Sequence, residues 1–244
     1  MTGPDAADDA PPAPGPPRAP RPSGAAMRFD AAESLTVLLV RHGETAHTQS
    51  KAMSGSSVPG PPLAPAGRIQ AAKAADLVFR VGRSVWPDVH HPSALLASPM
   101  VRTQETAAAV GRRLGLHVVT DAAFAECDFG AWEGRTAAEI EADAPGTLRE
   151  FYETPSVAAP GGEALLDVGR RVGAGLEGLL DGGVGRTVVL VSHAMAIRAA
   201  VGVTLGVPAE HWGWVRVLPG SVTALRWWAD GSREAVVVGM PTDL

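Results

Sequence analysis

Leu38-Leu39-Val40-Arg41-His42-Gly43-Glu44-Thr45 decides the fold, because an apolar run ends there at an Arg-His-Gly turn. Residues 35–40 have the length and the aliphatic composition of a strand buried on both faces, which is most common in parallel sheets. In open α/β sheets, ligands bind beside the carboxyl ends of such strands. Arg41, His42 and Gly43 are therefore candidate residues of an anion site. The alternative is an ordinary surface turn after a core strand.

Strand and helix patterns alternate along most of the chain after this first strand. Further strands are predicted from apolar runs at 93–98, 116–120, 186–193, 221–228 and 234–238. Helices are predicted from helical spacing and from Pro and Gly boundaries at about 65–81, 99–114, 163–180 and 194–205. This alternation predicts an α/β protein of three layers, in which helices cover both faces of a mostly parallel central sheet.

Two segments interrupt the alternation. Residues 47–63 are rich in Gly, Ser and Pro and are too long for a simple strand-to-helix connection. Residues 121–160 contain Glu126, an aromatic and glycine cluster over 129–134, and two short helical patterns. We therefore expect a functional loop in the first segment and a small helical lid insertion in the second.

Composition bounds the domain organisation and the compartment. The 244 residues suit one α/β domain over 35–244, preceded by a Pro- and Ala-rich tail at 1–34 that is expected to be disordered. Translation could start at Met1 or Met27. The net charge of −5 argues against nucleic acid as a partner, and no apolar stretch has the length of a membrane span. A single cysteine suits a reducing compartment, so a cytoplasmic location is expected.

Two predicted strands end at histidines, and a third leads into an arginine. His42 and His193 follow apolar runs, and Arg102 lies in the first turn of the helix after Ser98-Pro99. The carboxyl ends of parallel strands share one edge of a sheet, so these side chains and Arg41 are expected to converge. Such a pocket suits a compact dianion such as a phosphoryl group, and its charges favour a neutral, nucleophilic imidazole. The alternative is two structural histidines with solvated arginines.

Six blocks resemble, in order, the signature segments of the histidine phosphatase superfamily, which has the phosphoglycerate-mutase-like fold. The blocks are Val40–Thr45, Pro62–Ala71, Ser98–Ala107, Glu126–Gly134, Pro160–Glu163 and Ser192–His193. The resemblance runs from about Leu35 to the C-terminus, and six ordered blocks are more specific than any single motif.

The resemblance implies a mechanism. His42 would attack phosphorus to form a phosphohistidine, while Arg41, Arg102 and His193 would hold the phosphoryl oxygens. Glu126 would protonate the leaving alcohol and then deprotonate the water that hydrolyses the intermediate. This chemistry needs no metal and no cofactor, because guanidinium and imidazole groups supply the electrostatic stabilisation.

Four further positions are expected to bind the substrate. Gly43 would permit close approach, and the backbone N–H of Ala194 remains available although the family frequently has glycine there. Thr48 stands where the family often has an Asn that contacts phosphate. A hydroxyl can donate one hydrogen bond, so Thr48 would bind more weakly or Ser54 would take over.

The compact lid and the segment 222–231 look more like bacterial phosphatases than like cofactor-dependent mutases. The acid phosphatase module sometimes fused to a ribonuclease H domain is among the nearest in resemblance. Mutases usually carry longer insertions and a Trp-Asn pair where this chain has His47-Thr48. The resemblance implies a phosphomonoesterase acting on a small phosphorylated metabolite. A phosphomutase and a catalytically silent phospho-ligand binding protein are the alternatives.

The tryptophans near the C-terminus are expected to pack in the core or to line the edge of a homodimer. They are Trp212, Trp214, Trp227 and Trp228.

Overall fold

A computed structural model describes residues 33–242. The tail expected to be disordered lies outside the described residues, apart from residues 33 and 34. The first strand, β1 (Leu35–Arg41), is buried at every residue from 35 to 40. Val37 and Leu39 belong to one hydrophobic core, whereas Leu38 and Val40 belong to another on the opposite face. This burial on both faces explains the continuous apolar run.

The sheet has six strands in the order β3-β2-β4-β1-β5-β6. The other strands are β2 (Pro92–Ala97), β3 (Val118–Thr120), β4 (Arg186–Ser192), β5 (Val222–Trp227) and β6 (Arg233–Met240). Strands β3, β2, β4 and β1 pair in parallel, whereas β5 is antiparallel to both β1 and β6. The prediction of a mostly parallel sheet is confirmed.

Helices form the two outer layers. They are α1 (Ala46–Ser50), α2 (Pro65–Arg80), α3 (Val101–Leu114), α4 (Ala137–Asp143), α5 (Thr147–Glu153), α6 (Leu165–Asp181) and α7 (Ala194–Leu205). The helices α2 and α3 pack on the face that carries Leu38 and Val40, and α6 and α7 pack on the other. The three-layer prediction is confirmed. Among the helices of residues 33–242, none has the length and apolar composition that crossing a membrane requires.

The segment 121–160 carries short helices between β3 and α6. It holds 3-10 turns at Ala122–Phe124 and Gly130–Trp132, followed by α4 and α5. The fully buried Phe151 of α5 lies 5.4 Å from the Trp132 ring and 6.3 Å from the Phe129 ring, measured between centroids. The two short helices predicted here are confirmed, and aromatic contacts pack them on the core.

Three boundaries differ from the prediction for local reasons. Helix α1 begins at residue 46 and extends into the segment 47–63, because Thr45 and Thr48 form a capping box at its start. Strand β3 begins at residue 118 because the N–H of Leu116 still bonds Gly111 at the end of α3. Helix α6 begins at residue 165, and the carboxylate of Glu163 outside it binds Arg171.

The tryptophans divide between core and surface. Trp212, Trp227 and Trp228 are buried, which agrees with core packing. Trp214 is 79% exposed and stacks on the ring of His211 with centroids 4.1 Å apart. The homodimer stays a prediction.

Candidate active site

The carboxyl ends of β2, β4 and β1 lie side by side at one edge of the sheet. His42 follows β1, His193 follows β4, and Arg102 lies in the first turn of the helix after β2. The imidazole centroids of His42 and His193 are 5.1 Å apart, and Arg102 Nε is 3.2 Å from His42 Nε2. The structure therefore brings together side chains that are up to 151 residues apart in the chain, since they run from 42 to 193.

A backbone carbonyl holds His42 in one tautomer. Nδ1 lies 2.7 Å from the carbonyl oxygen of Gly43, which can only accept, so Nδ1 carries the proton. Nε2 then has a free electron pair, which accepts the hydrogen bond from Arg102 Nε. His42 is thus presented as a neutral imidazole with its nucleophilic nitrogen beside a guanidinium group.

Burial and neighbouring charges keep both imidazoles neutral. His42 is 5% exposed and His193 is fully buried. Burial is the main cause that lowers the pKa of each ring well below its ordinary value, and the guanidinium groups of Arg102 and Arg41 lower it further. An imidazole that remains unprotonated through the physiological range suits a nucleophile.

We expect the free energy of unfolding to fall as the pH drops below the ordinary histidine pKa of 6.5. There the unfolded chain takes up protons on His42 and His193, whereas the folded protein takes them up only at lower pH. Each histidine then contributes a loss of about 1.4 kcal/mol per pH unit. Urea unfolding at about pH 7.5 and about pH 5.5, in phosphate-free buffer, measures this loss. The double variant His42→Gln, His193→Gln should show a smaller pH dependence, and an unchanged one would contradict the assignment.

His193 is oriented by Ser98, which the sequence analysis named only as part of a motif. Ser98 Oγ lies 2.7 Å from His193 Nε2, and both residues are fully buried. When the hydroxyl donates, the ring proton lies on Nδ1, which has no hydrogen-bond partner among residues 33–242. His193 can then donate this N–H to an anion beside His42.

The guanidinium of Arg102 is fixed on three sides. It is fully buried, and Nη2 donates to the carbonyl oxygens of Ser54 and Gly55 at 2.8 and 3.1 Å. The carboxylate of Glu133 holds the same loop, because Oε2 accepts from the N–H of Gly55 at 2.7 Å. This role of Glu133 was not evident from the sequence, although Glu133 lies in the block Glu126–Gly134.

Four buried donors of the site have no hydrogen-bond partner within the described residues. They are Arg41 Nε, Arg102 Nη1, His193 Nδ1 and Ser54 Oγ. Buried polar atoms in native proteins nearly always have a partner, so this group indicates a ligand. All four can donate, and two belong to cations, so the ligand that satisfies them is an anion.

Glu126 reaches the site from the base of the lid and is 5% exposed. Its Oε1 accepts from the backbone N–H groups of Cys127 and Met195, both at 3.0 Å. Oε2 has one longer contact, 3.4 Å from the Met195 nitrogen. Met195 lies in the first turn of α7, the helix that begins directly after His193, so the carboxyl group of Glu126 lies at the start of that helix.

Glycine is required at position 43 for a structural reason that the sequence did not reveal. Its N–H lies 3.3 Å from Thr106 Oγ1, which accepts, and an added Cβ would lie 2.2 Å from the carbonyl oxygen of Gly67 in α2. Backbone packing against α2 therefore requires this glycine. Its predicted role in substrate approach stays a prediction.

The other predicted substrate contacts are placed as follows. The Thr48 hydroxyl lies 3.3 and 3.2 Å from the nitrogen and the hydroxyl of Thr45, within the cap of α1. Ser54 Oγ is one of the four donors without a partner. Ala194 is the first residue of α7. Their contacts with a phosphoryl group stay predictions.

We expect Gly43→Ala to destabilise the fold by about 1–3 kcal/mol or more, because the new methyl group overlaps the backbone of Gly67. Gly178→Ala on the exposed face of α6 is the matched control, since nothing lies within 4 Å of its added Cβ. That control should be stabilising by about 0.5–1 kcal/mol. Denaturant midpoints measure both changes, and equal effects would show that the contact with Gly67 is unimportant.

The fold and this edge of the sheet define a class of phosphoryl-binding α/β proteins. Residues 37–238 match the histidine phosphatase superfamily (branch 1), and the chain belongs to that family. Among its relatives is the bifunctional protein Rv2228c of Mycobacterium tuberculosis, 33% identical over 202 residues. The match covers 83% of this chain and 53% of that protein, so the chain spans about half the length of this relative.

The match covers a larger share of one relative and of one solved structure whose names state an activity. Glucosyl-3-phosphoglycerate phosphatase of Mycobacterium tuberculosis is 32% identical, over 72% of this chain and 78% of its own length. The solved structure of a mycobacterial glucosyl-3-phosphoglycerate phosphatase in complex with VO3 is similar, with a TM-score of 0.74 and 29% identity. That similarity covers 84% of this chain and 99% of the solved one. The resemblance to the acid phosphatase module found fused to a ribonuclease H domain stays a prediction.

Proposed function

We propose that the protein is a metal-independent phosphomonoesterase that acts on a small phosphorylated metabolite through a phosphohistidine at His42. One observation carries the proposal: the unprotonated Nε2 of His42, which accepts from Arg102 Nε, belongs to a site whose buried donors lack partners within residues 33–242. A phosphoryl group is the compact dianion that satisfies such donors while exposing phosphorus to the nitrogen. A cytoplasmic location and a possible homodimer belong to the same proposal.

In the first step, His42 Nε2 forms a bond to phosphorus while the bond from phosphorus to the ester oxygen breaks. Arg41, Arg102 and His193 donate to the equatorial oxygens, where negative charge is distributed in the transition state. Arg102 and His193 are fully buried, so hydrogen bonds from these two groups are stronger than they would be in water.

Glu126 donates a proton in the first step of the reaction and accepts one in the second. Its Oε1 is engaged by two backbone N–H groups, which leaves Oε2 to carry a proton and give it to the leaving alkoxide. The resulting carboxylate takes a proton from the water that attacks the phosphohistidine. The second step releases phosphate and restores the His42 electron pair and the protonated carboxyl group.

The cationic character of the pocket supports a reaction without a metal ion. The guanidinium groups of Arg41 and Arg102 would neutralise the phosphoryl charge and would repel a divalent cation. We therefore expect full activity in EDTA.

Two alternatives remain to be tested against hydrolysis. The named relatives include probable phosphoglycerate mutases, one of them 33% identical over 71% of this chain and 76% of its own length. A phosphomutase would transfer the phosphoryl group between substrates when primed with a bisphosphate. A silent phospho-ligand binding protein would bind vanadate tightly and show no turnover.

The test is a panel of phosphomonoesters assayed with EDTA, with and without a bisphosphate primer. Glucosyl-3-phosphoglycerate and 3-phosphoglycerate belong in the panel because of the named relatives. Release of inorganic phosphate without primer supports the proposal. Activity that requires a metal, or isomerisation without phosphate release, would refute it.

Replacing Glu126 with glutamine should slow alkyl phosphates more than aryl phosphates. An amide cannot supply a proton, so we expect kcat for an alkyl ester to fall by about 10²–10³-fold. An aryl ester such as p-nitrophenyl phosphate has a good leaving group and should lose about tenfold or less in its first step. Single-turnover rates separate this step from hydrolysis, and equal losses would argue against Glu126 as the acid.

A further inference from the structure

Arg171 on α6 contacts the part of the lid segment that carries Glu126. Arg171 has no role in the mechanism proposed above. All five N–H donors of its guanidinium are engaged. Three of these bonds end on the carbonyl oxygens of Ala123, Ala125 and Glu126, at 3.0, 2.8 and 2.9 Å. The backbone is therefore held on both sides of the Glu126 peptide unit by one planar group.

The other two donors of Arg171 bind Glu163. Nε and Nη2 lie 2.8 and 2.9 Å from Glu163 Oε1 and Oε2, which is a bidentate pair. Glu163 Oε2 also accepts from the N–H of Asp128 at 2.9 Å, and the N–H of Glu163 donates to the Asp128 carbonyl at 2.8 Å. The segment 123–128 is thus fixed from Ala123 through Asp128 by Arg171 and Glu163 together.

The ion pair between Arg171 and Glu163 differs from a surface ion pair in its burial and its geometry. The side chains are 21% and 26% exposed, and each guanidinium N–H has a separate acceptor at a defined distance. A lysine has the charge but not the planar fork, so it cannot reproduce five directed bonds. Since Glu126 Oε1 must meet the N–H of Met195 in α7, the position of its own backbone decides whether the carboxyl group reaches the site.

We propose that Arg171, through its pair with Glu163, is a positioning residue that sets the proton-donating carboxyl group of Glu126. This inference rests on the proposed function, because it assigns Arg171 a part in protonating the leaving group. None of the five bonds of Arg171 goes to His42 or His193, and its charge is the smallest of the influences that lower the pKa of His193. Its loss should therefore affect mainly the step that needs a proton and leave phosphoryl binding nearly unchanged.

The experiment compares Arg171→Met, Arg171→Lys and Glu163→Gln with wild type. It measures kcat for an alkyl phosphate and for p-nitrophenyl phosphate under single-turnover conditions, and inhibition by vanadate. The matched control is Arg170→Met, since the neighbouring Arg170 is 77% exposed and pairs only locally with Asp167 in the same helix. We expect Arg171→Met to lower the alkyl rate by about 100-fold and the aryl rate by less than about threefold, with unchanged vanadate inhibition.

Arg171→Lys should shift the ratio of the two rates in the same direction, which keeps the test available if Arg171→Met does not fold. Adding Arg171→Met to Glu126→Gln should change this ratio no further, because both act on one proton transfer. Equal losses on both esters, or weaker vanadate inhibition, would show a purely structural role and overturn the inference. If Glu126→Gln itself leaves the ratio unchanged, the acid assignment in the proposed function fails, and this inference fails with it.

Discussion

Replacing His42 with alanine should lower kcat by about 10⁴-fold or more on every phosphomonoester, because the reaction loses its nucleophile. The expected loss is independent of the leaving group, since no phosphoryl acceptor remains beside Arg102. Steady-state release of phosphate in EDTA measures the effect. His117→Ala, at an exposed position on the surface, is the matched control and should retain wild-type activity.

The same variant should keep part of its affinity for vanadate. Arg41, Arg102 and His193 still present their donors when the His42 ring is removed. A His42→Ala protein with substantial turnover would contradict the nucleophile assignment. A protein without measurable vanadate binding would instead indicate that the pocket is not assembled.

Replacing Arg102 with lysine should lower kcat by about 10²–10³-fold. The guanidinium bonds His42 Nε2 and the carbonyl oxygens of Ser54 and Gly55, and its Nη1 has no partner within the described residues. A lysine retains the charge, but its compact ammonium group cannot span these directions at once. We therefore expect a loss in kcat together with weaker vanadate inhibition, unlike the pattern expected for Glu126→Gln.

Arg113→Lys is the matched control for this change. It lies in the same helix as Arg102, is 43% exposed, and pairs with Asp76 at the surface. We expect that control to remain within about twofold of wild type, because surface ion pairs contribute little. An Arg102→Lys protein with wild-type activity would show that positive charge alone is sufficient in the pocket.

The sequence predicted the frame of the site because strand ends can be identified locally. The run 35–40 is buried on both faces, so its apolar pattern directly reflects its place in the sheet. His42 and His193 each follow such a run, and parallel pairing of β1 with β4 then brings them to one edge. The order of the layers and the convergence of His42 and His193 could therefore be predicted from the sequence alone.

The remaining features depend on contacts between distant segments, which a local pattern does not contain. Gly43 is required because Gly67 of α2 packs against it, and the Thr48 hydroxyl is engaged within its own turn. Glu126 lies in a loop with no periodicity, so only its motif identified it. Its position depends on Arg171, which in the sequence is one more charged residue of an amphipathic helix.

The proposed mechanism is tested most directly by trapping the phosphoryl group on His42. Glu126→Gln should permit attack on p-nitrophenyl phosphate but slow hydrolysis of the intermediate, because the base for the attacking water is missing. The variant is quenched in alkali during turnover and digested, and the modified peptide is sequenced by mass spectrometry. We predict one added phosphoryl group on His42, stable in alkali and lost in acid. A phosphoryl group on any other residue, or turnover with none on the protein, would contradict the mechanism.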